Sequence, residues 1–346
     1  MAALHRKGIE MRIAVLVLQG LGVVAAVLFC LLALLALTAA ATPRLFVWVM
    51  HVMHVFDRRV LPPLQPQQVG PGVQVQTDIT APSRYGSNTF DVYGPAAGGG
   101  PVLFWVHGGG FIGGDKSTIR PIALRLAAKG YTVISLNYAL APKTHYPAAL
   151  VQLGEVYEYL RANAPRFGTP DLGRLAFGGD SAGAQIALQF VLLQTNPALA
   201  AAMHWHPQVP KGAIKANVLY CGPYDLAAFA NTGRGVPHFF VQQLGWAYFG
   251  RRGWLRTPQA RQASVLDHVT PACPPTFLTD GNTFSFEKQG RALYAKLTEL
   301  GVPAEGLFFG PQAGELRHDY QFSVDQYPQQ AEQCYQNTLD FLNRYL

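Results

Sequence analysis

At 346 residues, 49% of them hydrophobic and only 14% charged, the chain is long enough for one large α/β domain with an appendage and too apolar for extensive disorder. Its formal charge of +7 comes from basic residues scattered along the sequence, with no stripe interleaved with aromatics, which excludes nucleic acid as a partner. The four cysteines, Cys30, Cys221, Cys273 and Cys334, form neither a disulfide framework nor a zinc pattern, and His51/His54 and His204/His206 lack a supporting carboxylate or cysteine cluster, so no metal is expected.

Residues 13–41 run for 29 positions without a charge, against the ~20 that a bilayer-spanning helix requires, and predict an uncleaved single-pass anchor. A cleaved signal peptide is the rival reading, because Arg6, Lys7 and Arg12 form a basic start and TAAA resembles a cleavage site. A signal's apolar core, however, spans only about 7–15 residues. The tighter basic cluster before the run places the N-terminus in the cytoplasm and the rest of the chain outside it. Residues 1–42 are thus the cytoplasmic start and membrane anchor. In 43–72, RLFVWVMHVMHVFDRRV reads as an amphipathic helix that lies along the membrane interface or packs on the globular domain, and LPPLQPQQVGPG as a linker.

From 73 to the C-terminus the pattern alternates. VQVQTDIT and FDVYG are half-buried strands, and GPAAGGGP is a turn. VLFWVH is a continuous apolar strand, PIALRLAAKG a helix, TVISLN a strand and YPAALVQLGEVYEYLRANA a longer helix. RLAFGGD (strand), SAGAQIALQFVLLQ (helix), ANVLYCG and PPTFLTD (strands), EKQGRALYAKLTELG (helix), AEGLFFG (strand) and a C-terminal helix follow. Buried strands alternating with amphipathic helices predict a mainly parallel twisted sheet with helices on both faces, filling 73–346. Residues 223–271 interrupt the rhythm with an aromatic-rich helical excursion, read either as core packing or as a lid around 225–265. Its basic cluster, Arg251, Arg252, Arg256 and Arg261, reads as a solvated surface.

RLAFG runs into Gly179-Asp180-Ser181-Ala182-Gly183 and straight into a helix, the strand–turn–helix setting of a nucleophile elbow. A turn this sharp strains the serine backbone and brings strand and helix together, so Gly179 and Gly183 have no room for side chains. The helix N-terminus directs N–H groups at developing negative charge. Upstream, His107-Gly108-Gly109-Gly110-Phe111 ends a buried strand. Its glycines let Gly109 and Gly110 N–H turn outward and form, with Ala182 N–H, an oxyanion hole in which each donor contributes about 3–4 kcal/mol. His107 organises the loop. The base belongs after the last strand, where only His318 lies; His238 falls in the excursion and His268 before the acid strand.

HGGGF, the later NYALAP, GDSAG and the terminal histidine loop together resemble the α/β-hydrolase superfamily, specifically its hormone-sensitive-lipase-like esterases, from about Val102 to the C-terminus. The resemblance implies an α/β-hydrolase fold and a serine carboxylesterase or lipase that acts through an acyl-enzyme on a small-molecule or lipid ester, with no cofactor. It also implies an acid in a D-x-L motif a few residues beyond the strand PPTFLTD, and the matching position here is Phe284. Three other carboxylates are available. Asp280 ends the strand and comes first, ahead of Asp225 after ANVLYCGPY and Glu287 at the start of the next helix. Acyl transfer by the same residues, or a binding protein that kept the fold without chemistry, are the competing functions.

Overall fold

A computed structural model describes residues 40–56, 60–231 and 233–346, with residues 19, 21, 23, 24, 27, 29, 30, 37 and 38. The chain divides into two compact units, Met1–Val49 and Met50–Leu346. The predicted membrane segment 13–41 lies for the most part outside the described residues, among which no helix is long and apolar enough to cross a membrane. Of the predicted amphipathic stretch, α1 (Arg44–Val52) is helical, with Val47 its buried residue.

The second unit contains one eight-stranded sheet: β1 (Val73–Thr80), β2 (Thr89–Pro95), β3 (Pro101–Val106), β4 (Thr132–Asn137), β5 (Asp171–Asp180), β6 (Ile214–Tyr220), β7 (Thr276–Asp280) and β8 (Ala304–Phe308). Their order is β1-β2-β4-β3-β5-β6-β7-β8, with β2 antiparallel to β1 and β4 and every pair from β4 to β8 parallel. The connections supply α2 (Arg120–Ala127), α3 (Ala148–Ala162), α4 (Ala182–Thr195), α5 (Pro197–Ala202), α6 (Leu226–Ala230), α7 (Val236–Phe249), α8 (Pro258–Ala263), α9 (Glu287–Glu299) and α10 (Pro328–Tyr345).

The strand VLFWV shows why the sheet is buried on both sides. Alternate side chains of a strand point to opposite faces. Leu103 and Trp105 join Ala123 and Leu126 of α2 and Phe341 and Leu342 of α10 in one core. Phe104 points the other way, stacks on Phe177 of β5 with centroids 4.9 Å apart, and meets Tyr157 of α3 at 6.2 Å. Both faces are therefore covered, and the strand has no polar position to spend on solvent. The small helix α5 escaped the sequence reading, although its signal is present: Asn196 caps it, accepting from Ala198 and Leu199 N–H at 3.0 and 3.1 Å, and Pro197 follows.

Between β5 and α4 the chain turns sharply against the end of β3. A Cβ on Gly183 would overlap the Val106 carbonyl, and one on Gly179 would overlap both that carbonyl and the Gly183 backbone. The atoms that each Cβ would meet are backbone, so nothing flexible can yield. Gly183→Ala is expected to destabilise the protein by at least ~1–3 kcal/mol, read as a lower urea midpoint at unchanged slope.

Candidate active site

Ser181 occupies the turn between β5 and α4 with φ 51° and ψ −121°, a conformation held by its N–H donating to Tyr220 O at 2.8 Å. A positive φ in a non-glycine residue is strained and persists only where the surroundings impose it. It raises the hydroxyl above the sheet, where Ser181 Oγ lies 2.9 Å from His318 Nε2.

The HGGGF loop is held against this turn by Asp180. That buried carboxylate accepts from Trp105 Nε1 at 3.0 Å and from Gly108 N–H at 2.9 Å, so the residue just before the serine also fixes the glycines. Gly109 has φ 116°, and its carbonyl accepts from Ile112 and Gly113 N–H, closing a tight turn that no side chain could enter. Among the described residues the N–H groups of Gly109 and Gly110 have no acceptor. Ala182 is the first residue of α4, where the N–H has no intrahelical partner. His107 is fully buried, stacks on Tyr138 with centroids 4.5 Å apart, and places Nδ1 2.6 Å from Gly108 O; burial lowers its pKa and keeps it neutral, as suits a loop organiser. The NYALAP segment braces the far side: Asn137 accepts from Lys116 N–H at 2.7 Å and Ala141 N–H donates to Phe111 O at 3.0 Å.

The three candidate acids separate clearly. Asp225 caps α6, its Oδ1 accepting from Ala227 and Ala228 N–H at 2.8 and 3.0 Å. Glu287 pairs with Arg291 one turn along α9 at 2.7 Å. Asp280, buried at the end of β7, is the one brought towards His318, and it gets there through Ser285. Ser285 Oγ donates to Asp280 Oδ1 and lies 2.8 Å from His318 Nδ1. Phe284, at the position where the resemblance implied an acid, is 89% exposed with φ 49°. Asp319 has its Oδ2 3.5 Å from His318 Nε2, on the side facing the serine. Ser285 and Asp319 were both missed by sequence reasoning, since nothing distinguishes a serine or aspartate in a polar loop until the fold folds it back.

Cys221, His318 and Asp319 place three ligand-type atoms within 4.8 Å of one another. Burial holds the Cys221 thiol well above its ordinary pKa, and its sulfur already accepts from Asp319 N–H at 3.4 Å. A neutral, occupied thiol is a poor metal ligand.

Ser181 and His318 open into a cavity of about 800 Å³. Helix α7 lines it with Pro237, Phe240, Val241 and Leu244, the i, i+3, i+4, i+7 stripe of one helical face. Its other side packs into the protein: Tyr248 stacks on Phe111 at 3.8 Å, and Phe249 on Trp254 at 5.3 Å. One helix therefore lines the cavity with one face and packs into the core with the other. Phe56, from the stretch preceding the sheet, also lines the cavity, 6.1 Å from the Phe240 ring and against Gly110.

Residues 103–311 match a family described as alpha/beta hydrolase fold. An acetyl esterase of Salmonella schwarzengrund is 37% identical over 236 residues, 65% of this chain and 68% of that one. Another acetyl esterase, from Salmonella paratyphi B, is 36% identical over 247 residues, 68% of this chain and 71% of its own. Among solved structures, a thermostable carboxylesterase cloned from a metagenomic library superposes with a TM-score of 0.67 at 20% identity, covering 89% of this chain and 99% of that one. A bacterial heroin esterase gives 0.64 at 24% identity, with 79% and 84% covered. At these identities the two structures speak for the fold.

Burial pushes the Asp280 carboxyl up from 3.8 to about 7, with hydrogen bonds from Ser285, Cys221 and Gly281 N–H opposing the rise and nearby Asp319 adding to it. A folded-state value above the unfolded one means that ionisation opposes folding: the cost is absent below pH 4, grows as pH rises to 7 and is constant beyond, on the order of 4 kcal/mol. Asp280→Asn cannot ionise. It is expected to raise the thermal midpoint above that of the native protein at pH 8, with the difference vanishing as the pH falls to 4, in scans at matched ionic strength.

Proposed function

We propose, given that the chain belongs to the α/β-hydrolase family and to its hormone-sensitive-lipase-like branch, that it is a serine carboxylesterase working through an acyl-enzyme. The observation that carries this reading is the 2.9 Å contact between Ser181 Oγ and His318 Nε2 at the wall of a cavity large enough for a small ester. In the first half-reaction Ser181 Oγ attacks the acyl carbonyl as its proton passes to Nε2. The N–H groups of Gly109, Gly110 and Ala182 receive the charge that develops on the carbonyl oxygen. Collapse of the tetrahedral intermediate expels the alcohol, which takes the proton from Nε2. Water then repeats the sequence on the acyl-enzyme and releases the carboxylic acid. Throughout, the Asp280 carboxylate offsets the imidazolium charge.

The cavity walls are mainly apolar, with Phe56, Phe229, Phe240, Val241 and Leu244 beside the fewer polar Asn231, Asn282, Glu287 and Lys288, and suit an ester with little charge of its own. The relatives named acetyl esterases support a short acyl group. The apolar run 13–41 supports a single-pass anchor with the hydrolase domain outside the cytoplasm.

Hydrolysis of p-nitrophenyl esters from acetate to palmitate is expected to be fastest at the short end and to fall by more than ~10³-fold in Ser181→Ala and in His318→Ala. Fluorophosphonate is expected to label the native protein and not Ser181→Ala. Wild-type turnover in Ser181→Ala would remove the reading; products esterified to an added alcohol in preference to free acid would turn it into acyl transfer. The full chain is expected to stay with membranes through an alkaline wash and to be digested by protease added to intact spheroplasts, whereas protein lacking residues 1–42 is expected to be released.

A further inference from the structure

We propose that Ser285 is a positioning residue of the active site: its hydroxyl is the link through which buried Asp280 orients and stabilises the His318 imidazole, making a four-membered chain Ser181–His318–Ser285–Asp280. This rests on the esterase reading above and adds a residue to it.

Hydrogen-bond direction carries the inference. For Ser181 to lose its proton to His318, Nε2 must be the unprotonated nitrogen, so the ring hydrogen sits on Nδ1. Nδ1–H then donates to Ser285 Oγ at 2.8 Å, and Ser285, with a single hydrogen of its own, donates to Asp280 Oδ1. Every bond in the chain runs the same way, from Ser181 towards the carboxylate. Reversing the Ser285 hydroxyl would put the ring hydrogen on Nε2 and disable the base. Among the described residues Asp280 makes no direct hydrogen bond to His318, so the carboxylate acts on the ring through Ser285. No proton need leave Nδ1: the hydroxyl polarises as the imidazolium forms.

The placement of Ser285 is built into the fold. The β7–α9 loop is stitched to the loop bearing the base: Thr283 N–H donates to Leu316 O at 3.0 Å, Leu316 N–H to Asn282 Oδ1 at 2.9 Å, and Asn282 Nδ2 to Gly314 O at 2.8 Å. A Cβ on Gly281 would strike the carbonyls of Leu316 and Arg317, so the two loops meet backbone to backbone. Phe286 closes the other side of the imidazole, edge to face at 5.2 Å. These contacts leave the Ser285 hydroxyl two partners, one on each side.

The test is steady-state kinetics of Ser285→Ala, Ser285→Thr, Asp280→Asn and the double variant Ser285→Ala/Asp280→Asn, each with a thermal unfolding scan. Ser285→Ala is expected to lower kcat by roughly 10²–10³-fold, Ser285→Thr, which keeps the hydroxyl, to recover most of that loss, and the double variant to be no slower than the slower single one, as for residues acting as a unit. Ser285→Ala with kcat near wild type, or a double variant whose loss is the product of the single losses, would overturn the proposal. Should Ser285→Ala lack a cooperative transition, Ser285→Gly removes the same hydroxyl and is judged by the same criteria. An inactive Ser181→Ala beside a fully active Ser285→Ala sinks the link alone, whereas an active Ser181→Ala sinks the esterase reading itself.

Discussion

Everything at this site depends on how closely β5, α4 and the end of β3 approach one another. Two missing side chains, at Gly179 and Gly183, let the turn that carries Ser181 press against the Val106 and His107 carbonyls. Only at that separation can Asp180, one residue before Ser181, reach Gly108 N–H and the Trp105 indole together. Ser181 and the glycine loop therefore share one rigid support. Electrostatic stabilisation of an oxyanion is effective when its donors are already in place, because no reorganisation is then required as charge develops.

The side of the site that holds Asp280 and His318 is organised differently. Asp280 sits at the end of a fully buried strand, while His318 lies on a loop, and neither element alone fixes the distance between them. The backbone stitches between 281–283 and 314–317 take that role, and they work because Gly281 offers no side chain to keep the loops apart. Burial makes the carboxylate expensive to ionise and, for the same reason, strong in its effect on a neighbouring cation. On the esterase reading, the site gives up stability for electrostatic strength.

Much of this was legible in the sequence, for reasons that can be named. VLFWV, TVISLN and ANVLY read as buried strands because both faces of the sheet are covered, and GDSAG and HGGGF are visible because only glycine tolerates the contacts made there. The choice among Asp280, Asp225 and Glu287 was left as an ordering, since each sits in a plausible place along the chain and only tertiary structure shows Asp225 engaged as a helix cap and Glu287 with Arg291. Ser285 was not legible at all, and of Phe56 only that its stretch could pack on the globular domain. A serine acquires its part from two partners that lie 5 and 33 positions away, and Phe56 from a helix nearly two hundred residues later.

Locating the carboxylate on a strand has a consequence for how this surface can change over time. The resemblance implied an acid in the loop after β7, whereas that place is held by Phe284, 89% exposed at the rim of the cavity. On the esterase reading, Phe284 is a point where mutation can sample new shapes at the cavity mouth while Ser181, His318 and Asp280 stay as they are, so selectivity can drift without the loss of a reacting group.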